Sequence, residues 1–364
     1  MDEVRLWGPD RDDRLSKDLI ASVQQESPGE FPRKADGSLD YSVLVISGGG
    51  ANGAFGAGVL YGWTQTGKRP RFKLVTGIST GALIAPFAML GPDYDARMKD
   101  VYTGVETSDI VQRRGILRIL LDLFNAESIA DTEPLTRLIA RHVDEDVLDA
   151  VAQAHAKGQR LYIGTTYLDA QEFVIWNMGA IATSGQPGAL ALFRQVMLAS
   201  ASIPAAFPPV LVDVELDGVR YDEMHVDGGV SAQMFFRGGW PDVESAAEVA
   251  AGRDLESQGA VYVIRNGVLG PRPAHVQRRL NEIARRSIAT MISVSVDNDL
   301  HRIFWQSRED GMEFNYVHLP DDFVAQHKEI FDPMEMKRLF DLGVAATTSS
   351  EPWRHTPPGI TGQK

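Results

Sequence analysis

"VLVISGGGANGAFGAGVL", residues Val43–Leu60, sets the fold and raises the first question about function. A β-branched apolar run ends in three consecutive glycines and passes into small and apolar residues, the pattern of a strand that turns into a helix. Gly48, Gly50 and Gly53 satisfy G-x-G-x-x-G, the spacing used where a dinucleotide pyrophosphate rests on a helix N-terminus. That use demands an Asp or Glu about twenty residues further on, to bind the ribose hydroxyl. From Tyr41 to Pro92 there is no carboxylate at all. The glycine loop is therefore read as a cradle for something other than a cofactor, and no cofactor is expected.

Where the acid should stand, the sequence has "FKLVTGISTGALIAPFAML", Phe72–Leu90. A β-rich run enters G-x-S-x-G, formed by Gly77, Ser79 and Gly81, and an apolar helical run leaves it. This is the signature of a nucleophile elbow, a sharp strand-to-helix turn that lifts a serine hydroxyl clear of a sheet. Glycines flank the serine because a Cβ at either position would collide with neighbouring backbone. The helix that begins after Ser79 also points its positive end at the hydroxyl and favours developing negative charge there.

Two glycine-rich turns in successive βα units belong at the carboxyl ends of neighbouring parallel strands, the usual crevice of an open α/β sheet. The amides of Gly49, Gly50 and Ala51 could then bind the oxyanion formed when Ser79 attacks an acyl carbonyl. A serine also needs a base. Of the eight histidines only His225 sits in a suggestive segment, "YDEMHVDGG", two residues before Asp227. In an extended strand both side chains point to the same side, so either could face the serine.

The remaining pattern extends outward from these two units. Strands are predicted at Val43–Ser47, Phe72–Thr76, Leu161–Tyr167, Glu172–Asn177, Val261–Arg265 and Phe314–Leu319. A hairpin is predicted about Asp217-Gly218. Helices are predicted over Ala54–Gln65, Thr80–Leu90, Ile116–Phe124, Pro134–His142, Asp144–Lys157, Ala189–Ala199, Val276–Trp305 and Pro333–Leu342. Alternating β and α units imply an α/β fold with a mostly parallel sheet covered by helices. Residues 1–40 are polar, with Pro28, Gly29, Pro32 and Gly37, and read as an arm or short helix before a single domain over 41–346. Residues 347–364 are aperiodic and read as a loose tail.

Composition narrows the function further. Acidic residues outnumber basic ones by 49 to 36, a net charge of −13, with no Lys/Arg block, which argues against nucleic acid as a partner. The same balance argues against strong electrostatic adhesion to anionic lipid surfaces, while leaving transient hydrophobic contact with a membrane surface open. The absence of cysteine removes thiol nucleophiles, thiolate metal sites and disulfides. No histidine pair or acidic loop has metal-ligand spacing, so no metal is expected. The charged N-terminus is unlike a secretory signal and no apolar run reaches spanning length. The chain as given reads as soluble, cytoplasmic or, were an export signal removed upstream, periplasmic or secreted. "GILRILLDLF", with Leu120 and Phe124, carries an apolar stripe expected to pack on the sheet, with a lid or lipid-contacting helix as the alternative.

Four blocks in order, "SGGGANGAFGAGVL", "GISTG", "ASIPAAFPPV" and "VDGG", resemble the patatin-like phospholipase family over about Tyr41 to Met234. The resemblance implies a three-layer α/β/α sandwich and a Ser-Asp dyad in place of a triad. It implies Ser79 as nucleophile, Asp227 as base, Gly48, Gly49, Gly50 and Ala51 as the oxyanion loop, and Pro204 as part of the site wall. It also implies lipid or ester substrates and no calcium for the chemistry. One departure stands out, because family members commonly carry Arg or Lys where this chain has Asn52, so a cation expected near the loop is missing from that position. An acyltransferase on the same plan, in which an alcohol or thiol captures the acyl group, and a non-enzymatic lipid-binding protein are the competing readings. Products formed with added acceptors, and the reactivity of Ser79, would separate them.

Overall fold

The structure, a computed structural model, describes residues 4–7, 14–27, 29–31, 40–104, 112–113, 130–204, 206–216, 218–236, 259–326 and 331–360. In chain order, β1 (Arg5–Trp7) and α1 (Arg14–Gln24) precede β2 (Ser42–Ile46), which a short 3-10 turn at Gly50–Asn52 joins to α2 (Gly53–Gln65). Then follow β3 (Phe72–Gly77), α3 (Thr80–Leu90), α4 (Asp95–Thr103) and a small antiparallel pair, β4 (Gln112–Arg113) with β5 (Ala130–Asp131). Helices α5 (Glu133–His142) and α6 (Glu145–Ala156) lead to β6 (Arg160–Tyr167) and β7 (Glu172–Asn177). After α7 (Met178–Thr183) and α8 (Ala189–Ser200) come β8 (Val210–Leu216) and β9 (Val219–Asp227), paired from Leu216↔Val219 as the predicted hairpin requires. The chain ends with β10 (Ala260–Arg265), α9 (Leu280–Glu309), β11 (Glu313–His318) and α10 (Pro333–Thr348).

Among the described residues, nine strands form one sheet in the order β1-β7-β6-β3-β2-β10-β11, with the β8–β9 hairpin attached to β6. The five strands β6, β3, β2, β10 and β11 are mutually parallel, and the joins to β7 and β9 are antiparallel. Side chains alternate across the sheet, so Leu44 and Ile46 enter one core and Val43 and Val45 the other. The first core is closed by α2, α3, α5, α6, α8 and α10. The second is closed by α1 and α9. Burial on both faces explains why the central strands read as continuous apolar runs. The result is the three-layer α/β/α arrangement expected from the sequence.

The glycines of α2 serve packing. A Cβ on Gly58 would lie 2.0 Å from the Phe340 carbonyl oxygen, and one on Gly343 would lie 2.1 Å from that of Phe55, so α2 and α10 meet backbone to backbone. Small residues let that contact continue along both helices. For the same reason α10 outruns its predicted end at Leu342, since Gly343 and the Ala and Thr residues after it lack large apolar side chains but pack on α2.

Both terminal segments are engaged with the rest of the domain. The segment before Tyr41 supplies β1, which pairs with β7, and α1, whose Leu15, Leu19 and Val23 enter the second core. Arg160 Nε fixes α1 by binding Asp18 Oδ2 at 2.9 Å. The segment expected as a loose tail from Thr347 is also engaged: Trp353 packs 4.6 Å from Trp63 and 5.1 Å from Tyr262, centroid to centroid, and Arg354 exchanges backbone hydrogen bonds with Tyr316. Single aromatic anchors carry no periodicity, so sequence pattern does not reveal them. The helix predicted over Ile116–Phe124 lies outside the described residues.

Candidate active site

Strand β3 delivers the elbow. Ser79 has φ 56° and ψ −125°, a strained conformation for a residue with a side chain, between β3 and the first turn of α3. The turn is held by two close approaches: a Cβ on Gly77 would lie 2.5 Å from the Gly81 carbonyl oxygen, and one on Gly81 would lie 2.3 Å from that of Ile46. The amide of Ser79 donates to Ser200 Oγ at 3.0 Å, and Ser200 donates in turn to the Gly164 carbonyl at 2.7 Å. This chain of bonds pins the elbow to the end of α8 and the middle of β6.

Strand β9 delivers Asp227 to the same place. Both strands lie along one edge of β6: β3 runs parallel and ends with Gly77 opposite Ile163, while β9 runs antiparallel and ends with Asp227 opposite Thr165. Their carboxyl ends therefore meet head-on. The Ser79 side chain faces the Asp227 carboxylate and acts to lower its pKa, and the carboxylate accepts the Gly229 amide at 2.7 Å. Burial raises the Asp227 pKa to about 6, against the opposing effect of Ser79 and the Gly229 amide.

His225 is buried two residues earlier and turned to other partners. Its Nδ1 lies 3.0 Å from Thr165 Oγ1 and its Nε2 lies 3.2 Å from Glu223 Oε2, with Glu223 paired to Arg5. The ring stacks on Tyr167 at 5.4 Å. Burial lowers its pKa, opposed by Glu223. Of the two residues the sequence leaves as candidate partners of Ser79, the structure brings Asp227 to it and gives both nitrogens of His225 other work.

The glycine loop faces Ser79 from the neighbouring strand. A Cβ on Gly48 would lie 3.2 Å from Ser79 Cβ, and one on Gly49 would lie 2.1 Å from the Asn266 carbonyl oxygen, so the backbone runs here with no room for side chains. Gly50 has φ +56°. The Gly48 amide is spent on the Gln233 carbonyl at 3.3 Å. Among the described residues no protein acceptor takes the amides of Gly49, Gly50 and Ala51, which begin the turn into α2.

The loop rests on residues that the sequence does not single out. Arg265, at the end of β10, donates through Nη1 to the Gly48 carbonyl at 3.0 Å and approaches Ser47 Oγ at 3.3 Å. Asn266 donates through Nδ2 to the Ser47 carbonyl and through its amide to Ser47 Oγ, both at 2.8 Å. A guanidinium thus stands beneath the loop although position 52 is Asn. Burial lowers the Arg265 pKa to about 10, still cationic near neutrality. Gln233 is itself set by Asp299 Oδ2, which accepts its amide at 2.7 Å. None of these contacts has a local sequence signal, because each joins strand ends far apart in the chain.

Beside Ser79 and Gly50 opens an apolar cleft. Leu83, Tyr102, Leu138, Ile203, Phe207 and Met336 contribute to its wall. Pro204 is exposed, and its neighbours Ile203 and Phe207 form the lining. Among the described residues no three His, Asp or Glu side chains converge as a metal site.

Residues 44–238, more than half of the chain, match the family model for patatin-like phospholipase. The chain belongs to the patatin-like phospholipase family. Membership brings lipid acyl hydrolysis as the family's activity. Among solved structures, this patatin-like chain is similar to VipD from Legionella pneumophila, at TM-score 0.39 and 12% identity over 87% of this chain and 68% of that one. The type III effector ExoU is similar at TM-score 0.31 and 13% identity, over 85% of this chain and 53% of ExoU. ExoU from Pseudomonas aeruginosa in complex with SpcU gives TM-score 0.31 and 15% identity, over 84% of this chain and 51% of that one. The patatin-like chain thus spans about half of ExoU. No curated protein sequence matches it significantly.

Proposed function

We propose that the protein is a serine-dependent lipid acyl hydrolase that works through a Ser79–Asp227 dyad. The observation that carries this reading is the convergence of Ser79 with a buried carboxylate, Asp227, whose pKa burial raises to about 6. A base poised near neutrality balances ionisation against the drive to take a proton.

Asp227 accepts the Ser79 proton as Oγ attacks the ester carbonyl, and the Gly49, Gly50 and Ala51 amides stabilise the tetrahedral oxyanion. As the intermediate collapses, protonated Asp227 returns its proton to the leaving alkoxide, which departs as an alcohol or lysolipid. Water then attacks the acyl-enzyme, giving its proton to Asp227, and the fatty acid leaves as Ser79 is reprotonated. Arg265 acts through the loop by holding the Gly48 carbonyl, which orients the following amides.

The apolar cleft supports an acyl chain as the group bound beside Ser79, since burying each methylene there contributes about 0.8 kcal/mol. Hydrolysis of p-nitrophenyl esters of increasing chain length tests this function. Turnover that is lost in Ser79→Ala supports it, and undiminished turnover in that variant refutes it. Acyl transfer to added alcohols in preference to water would favour the transferase reading.

A further inference from the structure

Helix α9 carries two apolar faces that point in opposite directions. Its C-terminal half sends Val296, Leu300, Ile303 and Phe304 into the second core. Its N-terminal half carries Leu280, Ile283, Ile288, Met291 and Val294, which are 85%, 49%, 57%, 70% and 53% exposed. Met291 and Leu300 are nine positions apart, about two and a half turns, so they occupy opposite sides of the helix. The exposed stripe therefore faces away from the body of the protein. Trp305, 54% exposed and about three turns beyond Val294, continues it.

This half of the helix stands next to the candidate active site. Asp299 binds the amides of Gln233 and Met234 at the edge of the sheet where Gly48 meets Gln233. At the other end, the Ser307 carbonyl accepts the Met312 amide and the Gly259 carbonyl accepts the Glu313 amide, at the opposite edge of the sheet. The helix thus descends antiparallel to β10, and residues 280–295, about 24 Å of helix at 1.5 Å per residue, continue beyond Asp299 on the Ser79 side of the sheet.

Charge distinguishes the stripe from the rest of the molecule. Between Pro271 and Val296 five arginines, Arg272, Arg278, Arg279, Arg285 and Arg286, stand against the single acid Glu282, in a chain of net charge −13. From Ser287 to Val296 no residue is charged. Among the described residues no helix is long and apolar enough to cross a membrane. An exposed apolar stripe accompanied by arginines suits a helix that lies in the headgroup region of a bilayer.

We propose that the N-terminal half of α9 is the surface by which the protein docks onto an anionic lipid bilayer, bringing the Ser79 edge to the headgroups. The substrate side of this proposal rests on the lipid-hydrolase reading; the docking itself does not need turnover. A second copy meeting the same stripe about a two-fold axis would bring like arginines together, whereas anionic headgroups neutralise them.

The test uses the full chain carrying Ser79→Ala, so that vesicles stay intact, in flotation with phosphatidylcholine vesicles and with vesicles that also contain phosphatidylglycerol. The expected result is binding to the anionic vesicles, weakened at least tenfold by Leu280→Ser with Met291→Ser and about fivefold per arginine by Arg278→Ala and Arg279→Ala at low salt. With Ser79 intact, the same surface variants should melt like the parent and hydrolyse a soluble short-chain ester at the parent rate. Flotation unchanged by the stripe variants overturns the proposal, as does a parental dimer in sedimentation that those variants dissociate without altering flotation. A flotation contrast without any ester turnover upholds the docking and removes the hydrolase reading, whereas turnover without the contrast removes the docking alone.

Discussion

Asp227 pairs with Thr165 two places along β6 from Ile163, where β3 ends in Gly77. One strand edge thus receives the elbow from one direction and the carboxylate from the other. The approach of Asp227 to Ser79 follows from this register, and so do the predictions below.

The pH profile should be single-sided on the acid limb. With the proposed dyad, deprotonated Asp227 is the active form, so kcat/KM for a neutral short-chain ester should rise through an apparent pKa of about 6 and then level. Replacing Asp227 with Asn should lower kcat by about 10²–10⁴. Stopped assays between pH 4.5 and 8 check both.

Asp227 should also cost stability. Its folded pKa of about 6 lies above the ordinary carboxylate value of 3.8, so the folded state holds a proton that the unfolded state has released between these two pH values. Its relative contribution to stability is fully present below pH 3.8 and lost as pH rises through about 6. Asp227→Asn should therefore melt higher than the parent at pH 8, by up to about 3 kcal/mol in stability, and lose that advantage near pH 4. Calorimetry at the two pH values reads the difference.

His225 should matter for packing more than for turnover. Both its nitrogens are bonded within the β6–β9 layer, so His225→Gln should lower thermal stability while changing kcat by less than about tenfold. A loss as large as that of Asp227→Asn would make His225 the base.

Gly49→Ala should damage the oxyanion loop. The added Cβ would fall 2.1 Å from the Asn266 carbonyl oxygen, forcing the loop off its seat, with a loss of about 10²–10³ in kcat and little change in KM. Steady-state kinetics on a soluble ester checks the split.

The cleft should set chain length. Ile203 is 40% exposed on its wall, so Ile203→Trp has room to fold while filling space beside Ser79. Long-chain esters should lose at least tenfold in kcat/KM and acetate esters should be nearly unaffected. A uniform loss would place the acyl chain elsewhere.

The fold is legible in the sequence where local pattern and tertiary role coincide. Val43–Ile46 is an unbroken apolar run and Phe72–Thr76 is mostly apolar, both buried on both faces of the sheet, and the glycines after them mark turns that backbone contacts enforce. Asp227 is legible as a candidate because paired glycines follow it, but its choice over His225 depends on β9 meeting β6 in one register. Arg265, Asn266 and Ser200 give no local sign because their partners come from other strand ends. Position 52 carries no cation, whereas Arg265 reaches the Gly48 carbonyl from the end of β10, which no motif spacing reveals. Likewise β1 is too short for periodicity, and Trp353 is a lone aromatic in a polar stretch.

The most direct measurement is the site and rate of phosphonylation by a fluorophosphonate, followed by intact-mass and peptide mass spectrometry on the parent, Ser79→Ala and Asp227→Asn. The account predicts one adduct, on the peptide bearing Ser79, absent from Ser79→Ala and formed at least 10²-fold more slowly in Asp227→Asn. An adduct on a different residue, or labelling of Ser79 at an undiminished rate without the Asp227 carboxylate, would contradict it.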